Sequence, residues 1–157
     1  MRFIFALLLM TPAVAHAQNM DPMPYGIHKN PQIAQCGEVE EAYGKEMVDF
    51  YFTIQKYSSD RGGPVDPAII RDVYSALVEA KEFVHTNIQF VQRAESRHGQ
   101  VLVAACRIVT SDAHNEIENY VRYLLREVDP RDRWGRHLAA EKFRMDLQRL
   151  THKYQGD

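Results

Sequence analysis

The chain has 157 residues and a formal net charge of −2, a length that fits one ordinary domain with a sizeable hydrophobic core. The balanced charge gives no argument for nucleic-acid binding, which needs a basic patch or stripe. The charge is uneven along the chain, because residues 18–92 carry 6 basic and 11 acidic residues whereas residues 93–157 carry 12 and 10. The two halves can therefore attract each other.

The first 17 residues have the pattern of a cleaved signal peptide. Arg2 is followed by an apolar run over 3–10 and by the small-residue sequence Ala15-His16-Ala17. The run is too short to span a membrane, so we expect cleavage before Gln18 rather than a retained signal anchor, with no stable membrane insertion afterwards. The expected location is periplasmic or secreted. Residues 18–29 are rich in Met and Pro and are predicted to form an extended lead-in.

Helix starts are predicted where Asx-Pro pairs stand, since Asn or Asp caps a helix and proline suits its first turn. These pairs are Asn30-Pro31, Asp66-Pro67 and Asp129-Pro130, and a further boundary lies at His98-Gly99. The predicted helices cover about 31–59, 67–98, 101–127 and 130–154. No run shows the strand-type alternation of apolar and polar residues.

Apolar residues recur at helical spacing in each run, which predicts core-facing stripes. The stripe of the first run is Ile33, Cys36, Tyr43, Met47, Phe50, Ile54 and Tyr57; that of the second is Ile70, Val73, Leu77, Ala80, Val84, Asn87 and Val91; that of the third is Leu102, Cys106, Val109, Ala113, Ile117, Tyr120 and Leu124. Helices of similar length with short loops favour an antiparallel four-helix bundle. The predicted fold class is therefore all-α, a bundle over residues 30–157.

The two cysteines are predicted to form a disulfide. Cys36 and Cys106 each lie about five residues into their helices, on core stripes, and an exported protein meets an oxidising compartment. Helices 1 and 3 of such a bundle run the same way, so the two residues have matching depth. No Cys-x-x-Cys pair indicates a metal, haem or redox site.

The fourth helix carries two apolar stripes where one would suffice to dock it. One is Ala140, Phe143, Leu147, Leu150 and Tyr154; the other is Trp134, Leu138 and Met145. The second stripe is either additional core or a contact surface for a partner. Its neighbours Arg131, Arg133 and Arg136, together with Trp134, are residue types enriched at protein interfaces. These six residues from 131 to 145 are the candidate interface.

The histidines do not predict a metal site. Glu82 and His85 have the Glu-x-x-His spacing of di-iron bundles, but they point away from the core stripe and no second helix repeats the motif. Weak candidates are Glu95 with His98, at the end of helix 2, and His114 with Glu118. A haem needs one His and a second axial ligand, and no spacing selects them. We therefore expect no cofactor.

No catalytic signature stands in the sequence, so an enzyme is not expected. The predicted function is that of an exported helical binding protein such as an inhibitor, immunity factor, chaperone or accessory subunit. Its partner is expected to be another periplasmic protein, with a homodimer as a further possibility and with no role for nucleic acid. The alternative is a helical bundle that carries a metal or a haem.

Overall fold

The computed structural model describes residues 31–56, 58–59, 63–94 and 101–156. Four helices make up nearly all of this part: α1 (Pro31–Lys56), α2 (Pro67–Ala94), α3 (Leu102–Glu127) and α4 (Arg133–Gln155). Two short strands, β1 (Ser58–Ser59) and β2 (Gly63–Pro64), pair antiparallel in the connection between α1 and α2. The all-α four-helix prediction is confirmed. The predicted signal peptide and lead-in lie outside the described residues.

Side-chain contacts fix the direction of each helix in the bundle. α1 runs antiparallel to α2 and parallel to α3, while α4 runs parallel to α2 and antiparallel to α3. The contacts that establish this are Glu40 with His85, Tyr51 with Tyr74, Cys36 with Cys106, Glu46 with His114, Asp72 with Arg136, Glu79 with Arg144, Asp112 with Tyr154, and Tyr120 with Phe143.

The helices are not arranged as a square. α2 and α3 pack closely along their length, α1 packs against both of them, and α4 packs against the same two helices. α1 and α4 therefore lie on opposite sides of the α2–α3 pair. This arrangement brings α1 and α3 into direct contact, which a diagonal pair in a square bundle would not have.

The predicted stripes form one hydrophobic core. All seven α3 stripe residues and six of the seven in α2 are buried, with Ile70 partly buried. In α1 the buried residues are Cys36, Tyr43, Met47 and Ile54, whereas Ile33 and Phe50 are partly buried. Tyr57 lies outside the described residues. Helical periodicity thus identified the core because each helix has one face toward the helices that it packs against.

Several predicted helix boundaries were wrong. α1 ends at Lys56 rather than at 59, because Ser58 and Ser59 pair with β2 instead of continuing the helix. These strands are two residues each, too short to show an alternating pattern in the sequence. The predicted last turn of helix 2, with its boundary at His98-Gly99, lies outside the described residues.

Caps explain where α2 and α4 begin. Asp66 caps α2 as predicted, since its Oδ1 accepts a hydrogen bond from the N–H of Ala68 at 2.7 Å. α4 begins at Arg133 and not at 130, because Asp132 is its N-cap and accepts from the N–H of Gly135 at 2.9 Å. Asp129 instead accepts from the N–H of Arg131 and closes a turn before the helix.

The predicted disulfide joins α1 to α3. The Cα atoms of Cys36 and Cys106 lie 5.7 Å apart, within the range that a disulfide requires. Both residues are fully buried, so the bond is part of the core. It closes a sequence separation of 70 residues and holds two helices that the chain does not connect directly.

Asn87 is the one polar residue that the described part of the chain buries in its core. Its Nδ2 donates to the carbonyl oxygen of Phe83 at 2.9 Å and to Oγ1 of Thr151, in α4, at 3.4 Å. Its Oδ1 is buried and has no hydrogen-bond partner in the described residues. Asn87 thus links α2 to α4 through a polar contact that is only partly satisfied.

No helix in the described ranges has both the length and the apolar character that crossing a membrane would require.

We predict that Cys36→Ala/Cys106→Ala lowers the free energy of unfolding by about 4 kcal/mol, the loop-closure contribution expected for a loop of this size. Urea unfolding of the oxidised protein, the reduced protein and the double variant measures this difference. Reduction should have no effect on the double variant. Two thiols that react readily in native, non-reduced protein would contradict the prediction.

We predict that Asn87→Leu raises the free energy of unfolding by about 1 kcal/mol, because a buried polar atom without a partner costs roughly 1–3 kcal/mol. Thr151 stays satisfied in this variant, since its hydroxyl also donates to the carbonyl oxygen of Leu147. Asn87→Ala is the control, and the cavity that it leaves should lower stability. A loss of stability in Asn87→Leu would show that the amide contributes more than its contacts indicate.

Candidate protein-binding surface

The second apolar stripe of α4 lies on the surface of the molecule. Trp134, Leu138 and Met145 are 66%, 50% and 60% exposed. The sequence left open whether these residues are core or surface, and the structure places all three on the side of α4 that faces away from the bundle. We refer to Trp134, Leu138 and Met145 as the α4 outer face.

α4 is docked through its other side. Ala139, Phe143 and Leu147 are buried, and the ring of Phe143 stacks on that of Tyr120 with centroids 4.9 Å apart. Ala140, Leu150 and Tyr154 are partly buried against the same core. Because this one stripe accounts for the packing of α4, the outer face is not needed to hold the helix in place.

Polar contacts on both flanks fix the rotation of α4. On the α2 side, Arg144 binds Glu79 with both carboxylate oxygens within 3.1 Å of its guanidinium. On the α3 side, Asp112 accepts from Lys153 at 2.9 Å and from the hydroxyl of Tyr154 at 2.5 Å. These contacts on both flanks hold the outer face toward solvent. The hydrogen bond to Glu79 also raises the pKa of Arg144, and burial raises the pKa of Tyr154.

The three predicted interface arginines have different environments. Nε of Arg136 lies 2.7 Å from Oδ2 of Asp72, and its guanidinium also donates to the carbonyl oxygen of Pro130. Arg136 thus joins the start of α4 to α2 and has a structural contact of its own. Arg131 and Arg133 are exposed and lie three residues and one residue before Trp134 in sequence. Of the three, these two are the ones that a partner can reach.

A groove between α3 and α4 lies beside the α4 outer face. It encloses about 440 Å³, its apolar walls are Tyr120, Tyr123, Ala139 and Phe143, and its polar rim is Glu116, Asn119, Lys142 and Asp146. Burial raises the pKa of Glu116, and the carboxylate of Asp146 raises it further. The groove extends the outer face into a concave surface, the shape that accepts an inserted side chain.

Sequence reasoning missed Tyr123, which is half exposed at the edge of this groove. Its spacing of three from Tyr120 places two aromatic rings on neighbouring turns of α3, and this was the available signal. Tyr120 was assigned to the core, correctly, and the same ring also forms part of the groove wall.

A second exposed apolar surface lies on the side formed by α1 and α2. Val48 and Phe52 of α1 and Tyr74 and Val78 of α2 are each about half exposed. Tyr51 joins the two helices here, since its ring lies 5.9 Å from that of Phe52 and 5.7 Å from that of Tyr74. We call these five residues the α1–α2 patch. In the sequence, Val48 with Phe52 and Tyr74 with Val78 are apolar pairs spaced by four outside the core stripes, and this spacing was the available signal for the patch.

The structure does not bring His114 and Glu118, the weak metal candidates that it describes, into a ligand set. Nδ1 of His114 lies 3.3 Å from a carboxylate oxygen of Glu46, and its Nε2 lies 4.0 Å from Glu118. Within the described ranges, no three His, Cys, Asp or Glu side chains converge as a metal would require. Glu95 and His98 lie outside those ranges.

His85 is an exposed residue with hydrogen-bond partners on both ring nitrogens. Its Nδ1 lies 2.7 Å from a carboxylate oxygen of Glu40, and its Nε2 lies 2.8 Å from Nε2 of Gln89. One neutral tautomer satisfies both contacts, with Nδ1–H donating to Glu40 and Nε2 accepting from Gln89. Glu82 is exposed as well. The contacts of His85 therefore join α1 to α2 on the surface.

Comparison with protein families, characterised proteins and solved structures finds no match to this chain. The surfaces described above are therefore what indicates a function.

We predict that Leu138→Asp changes the free energy of unfolding by less than about 0.5 kcal/mol, because a half-exposed side chain outside the core has little packing to lose. Phe143→Asp, on the opposite side of the same helix, should cost several kcal/mol since it buries a carboxylate. Thermal melting followed by circular dichroism distinguishes the two. Similar large losses in both variants would show that the outer face contributes to packing after all.

Proposed function

We propose that this chain is an exported helical binding protein that acts through protein–protein interaction, with the α4 outer face as its contact surface. The observation that carries the proposal is a row of three large apolar side chains that are exposed along α4 and do not contribute to the packing of that helix. The signal-peptide pattern of residues 1–17 supports export, and an oxidising compartment suits the buried Cys36–Cys106 bond.

The residue types on this surface suit an interface. Trp and Arg are enriched among hot-spot residues, and Trp134 directly follows the exposed Arg133 and comes three residues after the exposed Arg131. Burying the exposed halves of Leu138 and Met145 contributes about 1 kcal/mol each, taking half of the value for a fully buried side chain. The adjoining α3–α4 groove offers a concave site for an anchor residue of the partner.

Charge indicates what kind of partner surface fits. Five of the six Lys and Arg residues of α4 form ion pairs within the molecule, so the positive charge offered to a partner is mainly that of the exposed Arg131 and Arg133 near Trp134. Acidic residues beside an apolar surface would complement these two arginines, and such complementarity raises the association rate and excludes basic surfaces. We therefore expect an exported partner protein with acidic residues around an apolar contact.

The metal- or haem-carrying alternative has less support. Among the described histidines, His114 has two carboxylates nearby and no third ligand group, and the contacts of His85 are those of a hydrogen-bonded surface pair. No observation in the described residues favours this alternative over binding.

The experiment is capture of the partner from the exported fraction of the source cells, with a photo-crosslinking residue placed at position 138. Wild type and the variants Leu138→Asp and Met145→Asp are compared without the crosslinker. We expect each substitution to weaken binding of the captured protein at least tenfold, because charging a central anchor removes much of the interface energy. Fluorescence of Trp134, the single tryptophan, should change on binding to wild type.

Ile108→Asp is the matched control, since Ile108 of α3 is also half exposed and the chemical change is the same. This variant should bind like wild type. Binding that survives both α4 substitutions, or that Ile108→Asp reduces equally, would contradict the proposal that the α4 outer face is the contact surface.

A further inference from the structure

The α3–α4 groove beside the α4 outer face has an aromatic end and an acidic end. Rings of Tyr123, Tyr120 and Phe143 line it from the aromatic end, and the carboxylates of Glu116 and Asp146 lie at the other end. Tyr123 and Glu116 are two turns of α3 apart, which is about 10 Å. A groove of this form suits a long side chain that is apolar along its stem and charged at its tip.

Glu116 is the carboxylate of this groove that lacks a partner among the described residues. It is partly buried, and it forms neither a hydrogen bond nor an ion pair there. Asp146, in contrast, has one oxygen 2.9 Å from Lys142 and the other 3.2 Å from Arg149. Both oxygens of Asp146 are thus engaged with cations of α4 itself, and Glu116 supplies the negative charge that the groove offers to a ligand.

The surroundings of Glu116 favour an added positive charge. Burial raises its pKa, and the carboxylates of Asp146 and Asp112 raise it too, which outweighs the lowering effect of Lys142 and Arg149. The charged form of Glu116 is therefore incompletely compensated within the molecule. A cation beside it would supply the compensation, whereas an uncharged apolar side chain would bury the carboxylate further at a cost in free energy.

We propose that the α3–α4 groove binds an arginine side chain of the exported partner, with its stem along the aromatic rings and its guanidinium at Glu116. The inference rests on the proposed function, since it identifies the residue with which the partner anchors beside the α4 outer face. Arginine fits better than lysine, because a planar guanidinium stacks on aromatic rings and donates two parallel hydrogen bonds to one carboxylate.

The two ends of this surface then carry opposite charges, which sets the direction in which the partner docks. The exposed Arg131 and Arg133 come before the outer face, whereas Glu116 lies at the level of Asp146, about 20 Å further along α4. A partner with acidic residues at the first end and an arginine at the second would match both. The reversed orientation would place like charges against each other, which is disfavoured.

The experiment is an NMR titration of isotope-labelled protein with N-acetylarginine amide. N-acetylcitrulline amide is the control probe, because it has nearly the same shape and no charge. The arginine probe should shift the backbone amide resonances of Glu116, Tyr123 and Ala139, which line the groove. The citrulline probe should bind at least about fivefold more weakly, since hydrogen bonds to charged groups are stronger than those between neutral groups.

Glu116→Gln keeps the shape of the side chain and removes its charge, so it should bind the arginine probe no better than the citrulline probe. Glu118→Gln is the matched control, since Glu118 lies on the same helix and pairs with Arg122 outside the groove. This control should bind the arginine probe like wild type, and circular dichroism establishes that both variants fold. Equal binding of the two probes, arginine binding that Glu116→Gln leaves unchanged, or no binding of the arginine probe would overturn the inference.

The inference and the proposed function fail in different ways. In the capture experiment, Glu116→Gln should weaken binding of the partner at least about fivefold, since it removes one charge-assisted contact. Capture that depends on Leu138 and not on Glu116 would overturn the arginine anchor and leave the proposed function standing. Binding of the arginine probe at Glu116, with capture that neither α4 substitution affects, would contradict the α4 outer face and still support the groove as an arginine site.

Discussion

The disulfide between α1 and α3 is the constraint on which the arrangement of the bundle depends. α1 and α3 are parallel and are not consecutive in the chain, so no short loop could bring them together. The Cys36–Cys106 bond fixes α1 in the groove on one side of the α2–α3 pair, and the groove on the opposite side holds α4.

α4 is held in a different way from the other three helices. It buries only Ala139, Phe143 and Leu147, and charged contacts on both flanks add to this packing. Arg136 and Arg144 bind α2, and Lys153 binds Asp112 of α3. Exposed ion pairs contribute at most about 1 kcal/mol each, so their main effect here is on orientation. They fix which side of α4 meets solvent.

The proposed binding depends on exposed apolar side chains along one helix. An apolar row such as Trp134, Leu138 and Met145 is unfavourable in water unless something covers it, and contiguous exposed apolar surface commonly marks an interaction site. A partner protein with acidic residues beside its apolar contact would cover this row and would also meet the exposed Arg131 and Arg133.

The helical class, the core and the cysteine pairing follow from the sequence alone, because periodicity and helix depth are local properties that persist in the folded bundle. Asp66 as a cap was predictable for the same reason. The start of α4 was not, since Asp129-Pro130 and Asp132 both offer a capping carboxylate and the chain geometry selects the second.

The role of the second α4 stripe was decided only by tertiary structure. A stripe shows that residues share one side of a helix, but whether that side is covered depends on how many neighbours the helix has. α4 packs against two helices on its other side, which leaves Leu138 exposed. The α1–α2 patch depends on the fold in the same way, because Phe52 and Tyr74 become one surface only when α1 and α2 pack together.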